Sequence, residues 1–231
     1  MVFKGFLENL ISLTFTDNLS SEGLKAIINI ARNEPTSRLP IAQFAGCRLN
    51  NLFENHDQLS MNEKFLLGRL LFLITIEAEG AKMVFESSEG IEKLIKETFS
   101  NSKVDVTDDS EMGQVVVELL RYRFNLVRYD LIDYQMGVNE SNDLCSRIPA
   151  SAECVNIIGS CLNFCLGKGP ENILIDMEIG KFMEIFDLMI KMYVESLNKD
   201  YMAQTLLIAR KLAETHRSDL RKRYLPSNQE R

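Results

Sequence analysis

Cysteine and histidine are the side chains of this chain best suited to nucleophilic or metal chemistry. The five cysteines are Cys47, Cys145, Cys154, Cys161 and Cys165. Their odd number and the lack of a Cys-x-x-Cys pattern predict reduced thiols of an intracellular protein. Cys161 and Cys165 share one face of a predicted helix, and the chain has only two histidines, so we expect buried thiols there rather than a zinc site. We therefore expect no metal ion and no cofactor.

A catalytic cysteine would need a partner base, and neither histidine is tied to a cysteine by its position in the sequence. His56 lies in a polar segment, and His216 lies in a basic C-terminal helix. The stretch Gly167-Lys168-Gly169-Pro170 follows a helical pattern rather than a strand, and no Ser or Thr follows its lysine. It therefore predicts a helix cap and a turn rather than a phosphate-binding loop. We expect no catalytic residue and no enzyme.

Charge and hydropathy exclude two further classes of function. The net charge of −7 argues against a nucleic-acid partner, although basic residues gather near the C-terminal end. Lys4, Glu8 and Asp17 interrupt the N-terminal apolar stretch, so it does not resemble a secretory signal. The longest uncharged apolar run, residues 155–167, is too short to cross a bilayer. We therefore expect a cytoplasmic protein without an integral membrane segment.

Apolar residues recur at helical spacing along almost the whole chain, and proline and glycine are few. The most apolar segment, residues 61–76, is apolar on nearly all sides, which is typical of an inner helix of a layered array. Ser60 and Glu63 form a predicted capping box at its start, and Arg69 is its one charged interior position. Another helix is expected to start at Ser20 or Ser21.

The remaining helices complete an all-α chain of paired helices. They are expected over residues 41–55, 78–100 with a break at Gly90, 111–133, 150–166 ending at Gly167, 178–197 and 201–220. Pairs of this length match armadillo and HEAT arrays, so we predict one armadillo/HEAT-like solenoid domain over residues 1–231. It includes a basic C-terminal helix near residues 201–223. An acidic loop near residues 101–111 is expected to be a solvated linker, with Thr107 and Ser110 as phosphoacceptors if it is regulatory.

Five segments in order resemble the synembryn family. The longest is FLLGRLLFLITIEAEGAKMVFESSEGIEKL at residues 65–94. The others are GLKAIINIAR at 23–32, ELLRYRFNLV at 118–127, CVNIIGSCL at 154–162 and LAETHRSDLRKRYLP at 212–226. The resemblance implies an array of armadillo- and HEAT-like repeats. It also implies a cytosolic chaperone and guanine-nucleotide exchange factor for the α subunits of heterotrimeric G proteins.

The resemblance implies a mechanism of binding rather than covalent chemistry. The concave face of the array is expected to grip the C-terminal helix of the α subunit and loosen the nucleotide pocket. A generic helical-solenoid adaptor for another partner peptide is the alternative function.

The candidate partner-binding residues fall into two groups. Polar residues of otherwise apolar helices match the family segments; they are Asn29, Arg69, Asn125 and Asn156. They are expected to hydrogen-bond a partner's backbone or its terminal carboxylate, or else to tie adjacent helix ends within the array. A basic motif at the end of the chain supplies His216, Arg217, Arg221 and Lys222. These four either contact the partner or form a solvated helix end.

Overall fold

The chain folds into α-helices, and the all-α prediction is confirmed. The computed structural model describes residues 2–15, 19–100, 110–134, 136–137, 152–168, 186–187, 189–191, 194 and 199–215, and none of these forms a strand. The helices are α1 (Val2–Thr14), α2 (Ser21–Asn33), α3 (Arg38–Glu54), α4 (Met61–Ile74), α5 (Ala78–Phe85), α6 (Glu89–Ser100), α7 (Glu111–Arg128), α8 (Ala152–Lys168) and α9 (Lys199–Thr215). None of them, within these described ranges, is long and apolar enough to cross a membrane.

Serine side chains define where three of these helices begin. Ser20 caps α2, and its side chain accepts a hydrogen bond from the backbone N–H of Gly23 at 3.1 Å. The start of α2 was expected at Ser20 or Ser21, and the structure places the cap at Ser20. The predicted capping box before α4 is confirmed, because Ser60 and Glu63 accept reciprocally from each other's backbone N–H. Ser110 caps α7 in the same way as Ser20 caps α2. Local sequence signals therefore fix the starts of the helices that carry the candidate site.

Two glycines do not act as predicted. The helical stretch is interrupted between Phe85, where α5 ends, and Glu89, where α6 begins. Gly90 therefore lies in the first turn of α6 and not at the interruption. Its backbone N–H donates to Asn50 Oδ1 at 2.8 Å, and a Cβ there would lie 2.5 Å from the Asn50 carbonyl oxygen. Gly90 therefore serves a close approach of α3 and α6. Gly167 does not end α8, which continues through Lys168.

Several other predicted boundaries shift or lie outside the described residues. Helix α7 ends at Arg128 rather than near residue 133, and Asp130 adopts a left-handed conformation with φ 58° just beyond it. Helix α9 is described as far as Thr215, and the rest of the helix predicted over 201–220 lies outside the described residues. The acidic loop lies outside the described residues up to position 109, and so does most of the predicted helix at 178–197.

The chain divides into two compact units, residues 1–132 and 133–231. In the first unit, α4 packs between α2 and α7, and these three helices form one row. A second row packs against it, in which α3 contacts α1, α5 and α6. Burial on both flanks explains why α4 is apolar almost all round: Leu67, Leu70, Leu71 and Ile74 are inaccessible to solvent. Two rows of helices are compatible with the predicted solenoid, which stays a prediction.

In the second unit, α8 packs against α9 and buries its cysteines. The expectation that Cys161 and Cys165 are buried thiols is confirmed, and Cys154 is buried as well. The hydrogen bond between the Cys165 thiol and Cys161, and then burial, raise the pKa of Cys165 far above its ordinary value. Such a thiol stays protonated, so Cys165 is not a nucleophile at neutral pH.

Candidate functional site

The site is built from the outward faces of α4 and α7 in the first unit. Phe65, Arg69 and Phe72 follow one another along one face of α4 and are half-buried, whereas the leucines between them point into the core. Helix α7, which packs along α4, contributes Glu118 and Arg121. We call these five residues the arginine cluster.

A buried carboxylate lies at the centre of the arginine cluster. The side chain of Glu118 is 1% exposed, and its Oε1 lies 2.9 Å from Arg69 Nη2 and 2.7 Å from Arg121 Nη1. Gly68 makes room for it, because a Cβ at position 68 would come within 3.1 Å of the Glu118 Cβ. The close approach of α4 and α7 thus brings three charged groups together.

The two guanidinium groups keep partial access to solvent and are held over aromatic rings. The side chains of Arg69 and Arg121 are 37% and 25% exposed. Arg69 lies over the Phe65 ring at 5.7 Å from its centroid, and Arg121 lies over the Phe72 ring at 5.6 Å. Ring stacking and the shared carboxylate both limit guanidinium motion. The cluster therefore presents oriented donors suited to carboxylates and carbonyl oxygens, flanked by apolar rings.

Asn125 lies beneath this surface rather than on it. Its side chain is buried, and Nδ2 donates to the Phe72 carbonyl oxygen at 3.2 Å and to Thr75 Oγ1 at 3.1 Å. The Tyr129 hydroxyl donates to the carbonyl oxygen of Ile76 in the same region. These bonds satisfy carbonyls at the C-terminal end of α4, which the helix itself leaves without partners. Asn125 thus ties adjacent helix ends, which was the alternative role expected for the asparagines.

The other sequence-predicted residues are not gathered at one place. Asn29 is exposed on α2, which packs against α4. Asn156 belongs to the second unit, is half-buried on α8, and its backbone carbonyl accepts from Ser160 Oγ at 2.9 Å. The basic motif lies outside the described residues; it comprises His216, Arg217, Arg221 and Lys222. Of the predicted set, Arg69 and Asn125 lie on the packed helices α4 and α7, where they bond to different residues.

Sequence reasoning missed Glu118, Arg121 and the two phenylalanines of the arginine cluster. A signal for the α7 residues was present, since Glu118, Arg121 and Asn125 share one face of that helix. Two charged residues on the same helical face as Asn125 indicate a polar stripe along an otherwise apolar helix. The pairing with Arg69 carried no such signal, because it depends on the register between two helices distant in sequence.

Comparison with known proteins gives one finding. A sequence model of the family described as guanine nucleotide exchange factor synembryn matches residues 2–163. The matched range includes every helix from α1 to α7, and with them the whole arginine cluster. No curated protein and no solved structure matches the chain.

Proposed function

Because the chain belongs to the guanine nucleotide exchange factor synembryn family, we propose that it binds the α subunit of a heterotrimeric G protein as an exchange factor, a folding chaperone or both. The element that it grips is the C-terminal helix of that α subunit. The action is one of binding, without a covalent step and without a cofactor. The two rows of helices in the first unit support an armadillo-like array for this task, and the place of action is the cytoplasm.

The arginine cluster is the single observation that carries the proposed binding site. Its guanidinium groups suit a partner segment that ends in a carboxylate, and its rings suit apolar side chains one turn earlier on a helix. Arg69 and Arg121 both retain exposed surface for such a contact while Glu118 holds them in place. A preoriented pair of guanidinium groups loses little side-chain entropy on binding, which favours affinity.

Differential binding explains how such a grip would promote nucleotide exchange. A protein that binds the free C-terminal helix better than the docked one stabilises the state of the α subunit in which that helix is displaced. Because coupling between two sites is reciprocal, binding of this chain and binding of nucleotide then weaken each other. Rebinding of nucleotide reverses the grip. The same preference for an incompletely assembled α subunit would serve folding assistance.

Peptide binding tests this proposal directly. A labelled peptide with the sequence of the last helix of the α subunit is titrated with the chain, and fluorescence anisotropy gives the affinity. We expect the Arg69→Gln and Arg69→Glu variants to lose about tenfold or more in affinity, with helicity unchanged by circular dichroism. Arg48→Glu is the matched control, since Arg48 is exposed on α3 in the other row of helices. A peptide amidated at its C-terminus should bind the wild-type chain more weakly.

The outcomes separate the proposal from its alternative. Unchanged affinity in a well-folded Arg69 variant would remove the arginine cluster from the binding site. Failure of every such helix peptide and of intact α subunits to bind would favour an adaptor for another helical peptide.

A further inference from the structure

His56 places both nitrogens of a buried ring against oxygen acceptors. The residue follows α3 in a short 3₁₀ turn, His56–Gln58, and is 3% exposed. Its Nδ1 lies 2.8 Å from the carbonyl oxygen of Phe53, and its Nε2 lies 2.6 Å from Glu97 Oε2 on α6. Asp57 Oδ1 lies 3.6 Å from the same Nε2. The three ligand atoms of His56, Asp57 and Glu97 all lie within 4.8 Å of one another.

Hydrogen-bond chemistry requires a proton or a metal ion between His56 Nε2 and the Glu97 oxygen. A carbonyl oxygen can only accept, so the Nδ1 of His56 carries a hydrogen and donates it to Phe53. In a neutral ring Nε2 then carries a bare lone pair, which would face the Glu97 carboxylate oxygen at hydrogen-bond distance. Two such lone pairs repel each other unless a proton or a metal ion lies between them.

The surroundings of the His56 ring suit a bound metal ion. A backbone carbonyl that accepts from one ring nitrogen is the usual partner that orients a metal-bound histidine. The site also lies at the C-terminal end of α3, where the helix dipole attracts positive charge. An open groove of about 730 Å³ borders Glu97; four carboxylates and two ammonium groups line it, namely Glu54, Glu89, Glu92, Glu97, Lys93 and Lys96. Its carboxylates outnumber its ammonium groups, so the groove beside Glu97 attracts cations.

We propose that His56, Asp57 and Glu97 form a Zn²⁺ site, with His56 Nε2 and one oxygen from each carboxylate as ligands and water in the fourth position. One imidazole and two carboxylates are ligands that zinc accepts. Tetrahedral coordination places ligand atoms roughly 3.3 Å apart, close to the present separation of His56 and Asp57. The Glu97 oxygen must move away from Nε2 by about 0.7 Å, which its half-exposed side chain permits.

Such an ion would fasten the end of α3 to α6. The inference concerns the other row of helices and is independent of the proposed G-protein binding. It also revises the expectation that two histidines leave the chain without a metal site, because two carboxylates supply the missing ligands.

Zinc titration of the metal-free 231-residue chain, in competition with a chromophoric chelator, tests the site. Asp57→Asn and Glu97→Gln each remove one ligand, and Asp57 is 87% exposed, so its replacement leaves the core intact. Glu89→Gln is the matched control for Glu97→Gln, because it removes the same charge from the same groove without removing a ligand. We expect one ion per chain for the wild type and the control, and at least a tenfold loss of affinity in both ligand variants. Zinc should also raise the Tm of the wild type and of the Glu89→Gln control, and it should leave the Tm of the two ligand variants unchanged.

Two results would overturn the proposal. Zinc binding that is equally tight in all four proteins would place the ion elsewhere, for example on thiols such as the exposed Cys47. The absence of zinc binding to the wild type would show that a proton alone occupies Nε2 and that His56 and Glu97 form an imidazolium–carboxylate pair.

Discussion

The carboxylate of Glu118 on α7 lies 2.9 Å from the guanidinium of Arg69 on α4, and the two side chains differ greatly in exposure. Glu118 is inaccessible to solvent, whereas Arg69 keeps more than a third of its surface exposed. The buried partner anchors the exposed one, so the orientation of Arg69 depends on a residue that no ligand can reach. Stability and recognition are therefore coupled at the arginine cluster.

Replacing Glu118 with glutamine should destabilise the fold. Both guanidinium groups lie against the same carboxylate oxygen, so the amide oxygen of glutamine can still accept from both, but these buried bonds lose the negative charge that strengthens them. We expect the free energy of unfolding, measured by urea denaturation, to fall by about 2 kcal/mol. Glu22→Gln is the control, because its ion pair with Lys25 is equally short but exposed; it should change stability by less than about 0.5 kcal/mol. Equal effects of the two variants would show that burial of Glu118 adds nothing.

Asn125→Ala separates the two interpretations of that residue. The change removes the two hydrogen bonds that the buried Asn125 amide donates, although the Thr75 hydroxyl still donates to the Phe72 carbonyl. We therefore expect a loss of about 1–3 kcal/mol in unfolding free energy. Peptide affinity, measured at a temperature where the variant is folded, should fall only a few-fold. A tenfold loss of affinity with unchanged stability would instead indicate that Asn125 contacts the partner.

Two glycines should respond to alanine in opposite directions. At Gly90 the new methyl group would lie 2.5 Å from the Asn50 carbonyl oxygen and 2.7 Å from the Glu54 backbone nitrogen, so α3 and α6 must separate. We expect Gly90→Ala to cost about 1–3 kcal/mol. Gly46, in the interior of α3, has nothing within 4 Å of the added methyl group, so Gly46→Ala should stabilise by up to about 1 kcal/mol. Thermal melts of both variants decide this, and a stabilised Gly90→Ala would contradict the close contact.

Tyr122 should make the protein sensitive to alkaline pH. Burial raises the pKa of its phenol well above the usual range, and Glu92 adds to the shift. The folded state therefore holds the proton more tightly than the unfolded state. The resulting stability is fully present below about pH 10 and is lost as pH rises further.

Tyr122→Phe should reduce that loss between pH 7 and pH 11 in denaturant titrations. Within the described part of the chain the hydroxyl has no hydrogen-bond partner, so its removal should not lower stability at pH 7. A variant that remains as sensitive to alkali as the wild type would contradict this role for Tyr122.

Local rules predicted the elements better than they predicted the site. The start of α4 and its burial followed from Ser60, Glu63 and the apolar pattern, which act within a few residues of chain. The contact between Arg69 and Glu118 did not, because it depends on how closely α4 approaches α7 at Gly68.

The same limit explains the error at Gly90, and it explains why the sequence did not predict the burial of His56. Glycine at position 90 serves the packing of α3 against α6, which the sequence pattern alone does not distinguish from a break. His56 stands in a polar stretch of sequence, yet its ring is buried, because the 3₁₀ turn after α3 directs it toward Glu97 on α6. Contacts between helices distant in sequence therefore determine both the role of Gly90 and the burial of His56.

Nucleotide release from a purified α subunit loaded with labelled GDP tests the central claim most directly. We predict that the wild-type chain and the Arg48→Glu control accelerate release, and that a folded Arg69→Gln variant loses about tenfold or more of that acceleration. An Arg69→Gln variant that is fully folded and accelerates release as well as the wild type would contradict the proposed role of the arginine cluster.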